Sequence, residues 1–204
     1  MGELVEKGFL TSSCCPAFVK YVHSAHPALT QYISHNLSPM AEISSYIKST
    51  DPGAKTVFIG PCTAKKAEAL KDEVKEYVDA VMTFEELQAL FDSRDIDITT
   101  LGEDVLDNAS YYGRIFARSG GLTDAVTQAL REQKLDAEFK VKPAICDGIE
   151  ECRVALLKKT KGVLDANFIE GMACVGGCIN GAGCLTHGEK NKAEVDKYGR
   201  QKLQ

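Results

Sequence analysis

Five of the eight cysteines fall into three short motifs that contain or adjoin glycine and proline. The motifs read Ser12-Ser13-Cys14-Cys15-Pro16, Gly60-Pro61-Cys62-Thr63-Ala64-Lys65 and Met172-Ala173-Cys174-Val175-Gly176-Gly177-Cys178. A cubane iron–sulfur cluster needs four thiolates, and the motifs supply them as Cys15, Cys62, Cys174 and Cys178. Cys14 is left over beside them, which indicates chemistry beyond electron storage.

Two other interpretations of the four cysteines have to be weighed against the cluster. A cytosolic cysteine taken alone is more often a small buried hydrophobe. These four, however, lie in turn-like motifs and not on apolar stripes. Four thiolates also make a structural zinc site, whose usual signature is a pair of CxxC knuckles. The sequence contains no CxxC, so an iron–sulfur cluster is the favoured interpretation.

The spacing of the third motif predicts how its ligands are presented. Cys174 and Cys178 are four residues apart, so on a helical turn both sulfurs would share one face. Gly176 and Gly177 would let the backbone approach closely and leave amide hydrogens free to point at sulfur. In the first motif, Pro16 is a good first helical residue and predicts a helix that starts beside Cys15.

Composition narrows the class of protein. The 204 residues are 44% hydrophobic and 26% charged, as expected for a globular protein with a core. A net charge of −5 argues against nucleic acid as the main partner, and no apolar run approaches membrane-spanning length. The N-terminus shows no export signal, so eight cysteines indicate a reducing compartment, and we expect a cytoplasmic protein.

Short apolar runs alternate with helical patterns along the chain. We predict strands at 56–59, 80–82, 139–145 and 166–169, with Pro143 favouring an edge strand or a strand end. We predict helices at 84–91, opened by a Thr83–Glu86 capping box, at 119–133 and at 147–159. The segment 92–112 is interpreted as loop.

The alternation predicts an α/β fold: mainly parallel sheets of βα units with helices packed on the faces. Ligands of such folds lie beyond the carboxyl ends of strands, and Cys62 and Cys174 both come directly after predicted strands. The cluster is therefore expected at this edge. We expect one domain over 1–187 and a polar C-terminal tail over 188–204, either a solvated helix or loose.

The three motifs together resemble the signature of the [FeFe]-hydrogenases, in the domain of the large subunit that holds the H-cluster. The resemblance covers most of the chain. It implies a [4Fe-4S] cubane on Cys15, Cys62, Cys174 and Cys178, the last of which also bridges to a two-iron subsite with CO, cyanide and azadithiolate ligands. It further implies that Cys14 shuttles protons, a role that suits a thiol with an ordinary pKa of about 8.5.

The resemblance also implies roles for residues outside the ligand set. Lys65 matches a lysine that hydrogen-bonds a cyanide ligand, a charge-assisted contact. Met172 matches a methionine packed against the subsite, and Ile115-Phe116 matches a segment that lines the pocket. Ser34, counted without gaps from Cys14, matches a serine of the proton path, and a hydroxyl can both donate and accept.

Three of these residues, and one further cysteine, have simpler alternatives. Lys65 and Glu68 are three apart and could form a surface ion pair. Met172 taken alone is more often core, and Ser34 has the pattern of a helix-end serine. Cys152 lies on an apolar helical stripe, so core packing is its expected role.

The sequence departs from the family pattern at several positions. Gly60 stands where many catalytic members have methionine, which would open space near the subsite. Met40, Phe18 and Cys184-Leu185 also replace residues that are common in the family. The acidic residues of the proton route lie upstream of the first motif in the family, so we expect that parts of the hydrogenase domain are missing here.

Three functions are compatible with these residues. The first is catalysis of 2H⁺ + 2e⁻ ⇌ H₂, with H₂ and protons as substrates and a ferredoxin-like or other redox protein as electron partner. The second is a non-catalytic [4Fe-4S] module of the cytosolic cluster-assembly type. The third is an H₂-sensing relative with the same cofactor. Retention of Cys14, Lys65 and Met172 together favours the first.

Overall fold

The computed structural model describes residues 2–102, 109–136 and 139–201. Five strands form two parallel sheets, one ordered β1-β5-β4 and the other β2-β3. The strands are β1 Leu10–Thr11, β2 Val57–Gly60, β3 Ala80–Thr83, β4 Pro143–Asp147 and β5 Phe168–Met172. The helices are α1 Gly2–Lys7, α2 Pro16–Ala25, α3 Pro39–Thr50, α4 Ala64–Ala69, α5 Phe84–Asp92, α6 Tyr111–Arg114, α7 Gly121–Glu132, α8 Ile149–Thr160 and α9 Lys190–Gly199.

The predicted α/β class with parallel sheets is confirmed. All four predicted strands are present, and so are the helix predicted to start at Pro16 and the three helices predicted at 84–91, 119–133 and 147–159, with ends that differ by a few residues. Thr83 and Glu86 form the predicted capping box at α5, each side chain accepting from the other residue's backbone amide. Pro143 is the first residue of β4, an edge strand, so both expectations for this proline hold.

Strand β5 is the central strand of the larger sheet, and all five of its residues are buried. The largest core cluster gathers around it from α2 and α8, with Phe18, Val22, Cys152, Leu156 and Ile169 among its members. Cys152 is completely buried there, as expected from its stripe. A smaller cluster packs α3 and α4 against β2 and β3 and includes Met40.

The polar C-terminal segment contains a docked helix. Asp196 of α9 forms a 2.7 Å ion pair with Arg118, and the buried Gly199 lies against Ile115. None of the helices within the described ranges is long and apolar enough to cross a membrane. The division of the chain near residue 187 stays a prediction.

A buried carboxylate ties the central strand to α7. Gly120, the residue before α7, has a φ of +84° and carries no side chain that could cap the helix. Glu170 of β5 takes over this function from 50 residues away, accepting from the Gly120 and Thr123 amides at 2.8 Å and the Thr123 hydroxyl at 2.6 Å. A carboxylate is favoured at this position because it accepts hydrogen bonds from amides that have no partner within the helix, and because its negative charge faces the positive end of the helix dipole.

We therefore predict that Glu170→Gln lowers the free energy of unfolding by about 2 kcal/mol, because the new amide group faces buried donors and loses hydrogen bonds to a charged acceptor. Urea unfolding monitored by circular dichroism measures this. Glu150→Gln is the matched control, since Glu150 is exposed and pairs only with Arg153 on the surface. Equal stabilities of the two variants would contradict the role given to Glu170.

Candidate metal centre

The three cysteine motifs meet where the parallel strands end. The first comes after β1, the second after β2 and the third after β5. They enclose a cavity of about 110 Å³ whose lining includes Cys15, Cys62, Cys174 and Cys178. Cys14, Lys65 and Met172 also line it. The structure thus brings the predicted ligands to one place, at the predicted edge of the sheets.

The first predicted ligand lies at the start of a helix. Cys15 precedes α2, which begins at Pro16 as its spacing predicts. Cys15 is 8% exposed, and its carbonyl accepts the Val19 amide at 3.0 Å. The amide end of α2 therefore faces the first motif, and its positive potential suits an anionic group bound there.

The third motif does not form the predicted helical turn. Gly176 and Gly177 have φ values of +83° and +86°, which interrupt any helix, and a 3₁₀ helix of three residues begins only at Cys178. The Gly177 amide donates to the Cys174 carbonyl at 3.1 Å, and the Gly176 amide donates to the Asp147 carboxylate. The expectation that these two amides are free to point at sulfur is therefore wrong.

Backbone contacts hold the second and third motifs together. The Gly183 amide donates to the Pro61 carbonyl at 2.9 Å. A Cβ on Gly181 would overlap that same carbonyl oxygen, so this position admits glycine alone without a backbone shift. Cys184 lies in this segment with its thiol 3.2 Å from the Ile179 carbonyl and 3.7 Å from the Cys178 carbonyl.

Burial and crowding raise the pKa values of three thiols in the cavity, those of Cys14, Cys174 and Cys178. Burial is the main cause at Cys178 and Cys174, and neighbouring thiols, first of all Cys15, add to it. Burial also raises the pKa of Cys14 to about 12, with Cys15 and Glu170 adding to the increase and Lys65 opposing it. Without metal these groups are protonated at neutral pH, so iron has to displace protons when it binds.

Four thiols around one cavity form a donor set that suits a cubane. Within the described residues, no three His, Cys, Asp or Glu side chains are placed to share one metal ion. In a cubane each thiolate binds its own iron at a separate corner, so four thiols spread around a common cavity are the arrangement required. A mononuclear zinc site needs its four ligands around one point.

Lys65 forms a buried ion pair and not the alternative pair on the surface. Its ammonium is 2.6 Å from the Glu68 carboxylate and donates to the Cys14 carbonyl at 3.2 Å. Lys65 and Glu68 are only 7% and 6% exposed. Glu68 therefore holds the Lys65 charge at the wall of the cavity. In the sequence, the only indication of this role is that the two residues are three positions apart.

The remaining predicted residues lie outside the cysteine cavity, in two different places. Phe116 and Ser34 line a second cavity of about 270 Å³ that also reaches Cys14, and the Ser34 hydroxyl donates to Glu3 at 3.4 Å. Ile115 lines neither of these cavities. It is fully buried beside Gly199, and its predicted place in the cofactor pocket stays a prediction.

Gly60 likewise does not open space at the site. A Cβ at this position would lie 2.8 Å from the Phe58 ring, which occupies the volume beside the glycine. Phe18, another departure, is fully buried, and its ring lies against the backbone of Gly171. The substitutions at 18 and 60 are thus accommodated by packing around the motifs.

Comparison with known proteins agrees with this geometry. The family model described as "Iron only hydrogenase large subunit, C-terminal domain" matches residues 1–182. The chain belongs to this family. Ala173 and Ala182 also line the cavity, although no pattern in the sequence indicates a role for them there. Both lie within the matched range.

Members of the iron-only hydrogenase family differ in what they do. The chain is 32% identical to the periplasmic [Fe] hydrogenase large subunit of Nitratidesulfovibrio vulgaris, over 84% of this chain and 50% of that protein. It is 25% identical to the cytosolic Fe-S cluster assembly factor NAR1 of Eremothecium gossypii, over 89% of this chain and 53% of that protein. The chain spans about half the length of these relatives.

A solved structure shows the same fold. Apo [FeFe]-hydrogenase HydA1 from Chlamydomonas reinhardtii superposes with a TM-score of 0.70 at 20% identity, covering 99% of this chain and 70% of that chain. This hydrogenase-family chain therefore carries the α/β core of the larger domain.

We predict that Gly181→Ala lowers the free energy of unfolding by about 1–3 kcal/mol, because the new methyl group forces the third motif away from Pro61. Chemical unfolding measures the loss, and iron bound after reconstitution should fall in parallel. Gly53→Ala is the control, since its Cβ would make only an ordinary 3.5 Å contact with Asp51. A stable Gly181 variant with normal iron content would show that this contact does not hold the motifs together.

Proposed function

We propose that this chain is a hydrogenase module that holds a [4Fe-4S] cubane on Cys15, Cys62, Cys174 and Cys178 and takes part in the reversible reaction 2H⁺ + 2e⁻ ⇌ H₂. One observation carries the proposal. The cavity that collects these cysteines is also lined by Cys14, Lys65 and Met172. A module that only stored electrons or only scaffolded a cubane would not need all three together.

The two-iron subsite, when bound beside the cubane, supplies the metal at which protons and electrons combine. Cys14 then holds and passes on a proton at its Sγ, a role for which its thiol is placed at the wall of the cavity. Cys14 lines both cavities at this edge of the sheets, which gives its proton a position between the cysteine cavity and the larger one.

Lys65 provides the positive charge of the cavity. Two of its three ammonium donors are accounted for by Glu68 and the Cys14 carbonyl. A third donor suits an anionic cyanide, as the family resemblance implies. Met172 is 2% exposed and belongs both to the core cluster and to the cavity lining, so it forms an apolar wall that excludes water.

The rest of the reaction depends on groups around this core. Ser34 and Phe116 line the 270 Å³ cavity next to Cys14, which is consistent with a proton route and a pocket wall there. We propose a ferredoxin-like or other redox protein as electron partner, and portions of the domain beyond this chain as further components. A cytoplasmic location stays a prediction, since one relative is named as periplasmic.

A non-catalytic cluster module is the second candidate. The similarity to a cytosolic Fe-S cluster assembly factor over 89% of this chain supports it. Such a protein would bind the cubane on the same four cysteines and never receive the two-iron subsite. An H₂ sensor would carry both clusters, but Gly60, which suggested a more open subsite, lies against the Phe58 ring.

Infrared spectroscopy separates these functions. The chain is reconstituted anaerobically with iron and sulfide, a synthetic two-iron compound is added, and the CO and cyanide stretching region is recorded. We expect bands of bound CO and cyanide that persist after gel filtration, together with H₂ evolution from a chemical reductant. Cubane signals without such bands would reject the hydrogenase proposal and favour the cluster module.

Cys14→Ser is the matched variant in this experiment. It leaves the four ligands in place, so the cubane and the infrared bands should form as before. Turnover should fall at least a hundredfold, because a serine hydroxyl is a far weaker acid than a thiol. Full turnover by this variant would remove Cys14 from the reaction.

A further inference from the structure

The loop between Cys174 and Cys178 is clamped by the end of strand β4. Asp147 is the last residue of β4 and pairs in register with Met172 on β5. Its carboxylate accepts the amide of Gly176, which lies midway between the two cysteines. The Gly176 amide, which lies between the two predicted ligands of the third motif, is thus held by a side chain from a different strand.

Several contacts fix Asp147 itself. Its backbone amide donates to the Glu151 carboxylate in the first turn of α8 at 2.8 Å. The next residue, Gly148, donates to the Met172 carbonyl at 3.0 Å and has a φ of +96°. A Cβ on Gly148 would lie 2.8 Å from the Val175 side chain, so this turn packs directly on the loop.

The opposite side of the loop is held as well. The Ser119 amide donates to the Gly176 carbonyl at 3.2 Å, and Arg118 forms an antiparallel bridge with Gly177. Both polar groups of the Gly176 backbone are therefore engaged, one by Asp147 and one by Ser119. The carboxylate adds a negative charge beside a residue that lies two positions from each of two predicted cluster ligands.

We infer that Asp147 is a positioning residue for the cluster: it fixes the Cys174–Cys178 loop through the Gly176 amide and lowers the cluster's reduction potential. Net charge and hydrogen bonds to the sulfurs are two of the determinants of such potentials. A carboxylate near the cluster disfavours the added electron, and by engaging the Gly176 amide it withholds a donor from the cluster sulfurs. This inference rests on the proposed cluster, but its structural half applies to the metal-free chain.

The first test measures hydrogen exchange of the Gly176 amide in the metal-free chain, by NMR with nitrogen-15-labelled glycine. Asp147→Asn keeps an acceptor oxygen and should leave protection nearly unchanged. Asp147→Ala removes the acceptor and should accelerate exchange at least tenfold. If exchange in Asp147→Ala equals that of the parent chain, the clamp does not exist, whatever the chain binds.

The second test is a redox titration of the reconstituted cubane, monitored by electron paramagnetic resonance. At the midpoint potential of the parent chain, the ratio of reduced to oxidised cluster should be about three in Asp147→Asn. In Asp147→Ala this ratio should be higher still. Asp165→Asn is the control: it makes the same charge change before the amino end of β5, where its side chain is 94% exposed.

The outcomes distinguish this inference from the proposed function. Unchanged potentials in both Asp147 variants would overturn the electrostatic role, and an equal shift in Asp165→Asn would reduce it to a general effect of net charge. If the parent chain forms no cubane at all, the proposed function fails and the potential role fails with it. The exchange measurement would still decide whether Asp147 positions the loop.

Discussion

The candidate site depends on gathering five thiols around one small cavity. Each thiol raises the cost of ionising its neighbours, and burial raises the pKa of Cys178 and Cys174 further. Thiols in this situation do not attract one another, so the backbone has to hold them. The fold does this by letting three chain segments end at a common edge of two parallel sheets and by joining the segments there through amide–carbonyl contacts.

Much of this arrangement could be predicted from the sequence. The strands before Cys62 and Cys174 are short apolar runs, and parallel strands bring the residues after their carboxyl ends to one edge, so the common site was predictable from βα alternation. The capping box at Thr83 and the helix start at Pro16 are local signals and were predicted as such. The buried position of Cys152 agrees with its place on an apolar stripe.

The features that could not be predicted depend on contacts between distant segments. The spacing of Cys174 and Cys178 fits a helical turn, but Asp147 and Ser119 hold Gly176 in a conformation that only the folded chain defines. The Lys65–Glu68 pair has the spacing of a surface pair, and its burial results from packing against the first motif. The position of the Phe58 ring beside Gly60 and the packing of α9 against Ile115 are likewise not predictable from local sequence.

A buried ion pair and a fifth thiol accompany the four predicted cluster ligands. A buried lysine–glutamate pair is costly, because two charges lose their water. A cubane with four thiolates is anionic, and a nearby cation such as Lys65 compensates this charge. Cys14 makes no such charge compensation: it adds a fifth thiol to a cavity that already has four predicted ligands. Under the proposed function, this thiol holds a proton close to metal.

The proposed site consists of one cubane held by Cys15, Cys62, Cys174 and Cys178. Mössbauer spectroscopy of the full chain, reconstituted anaerobically with iron-57 and sulfide, is the direct test. We expect about four irons per chain with the spectrum of a single [4Fe-4S] cluster. A spectrum of one iron in a tetrathiolate site, or of two-iron clusters with the same four cysteines intact, would contradict it.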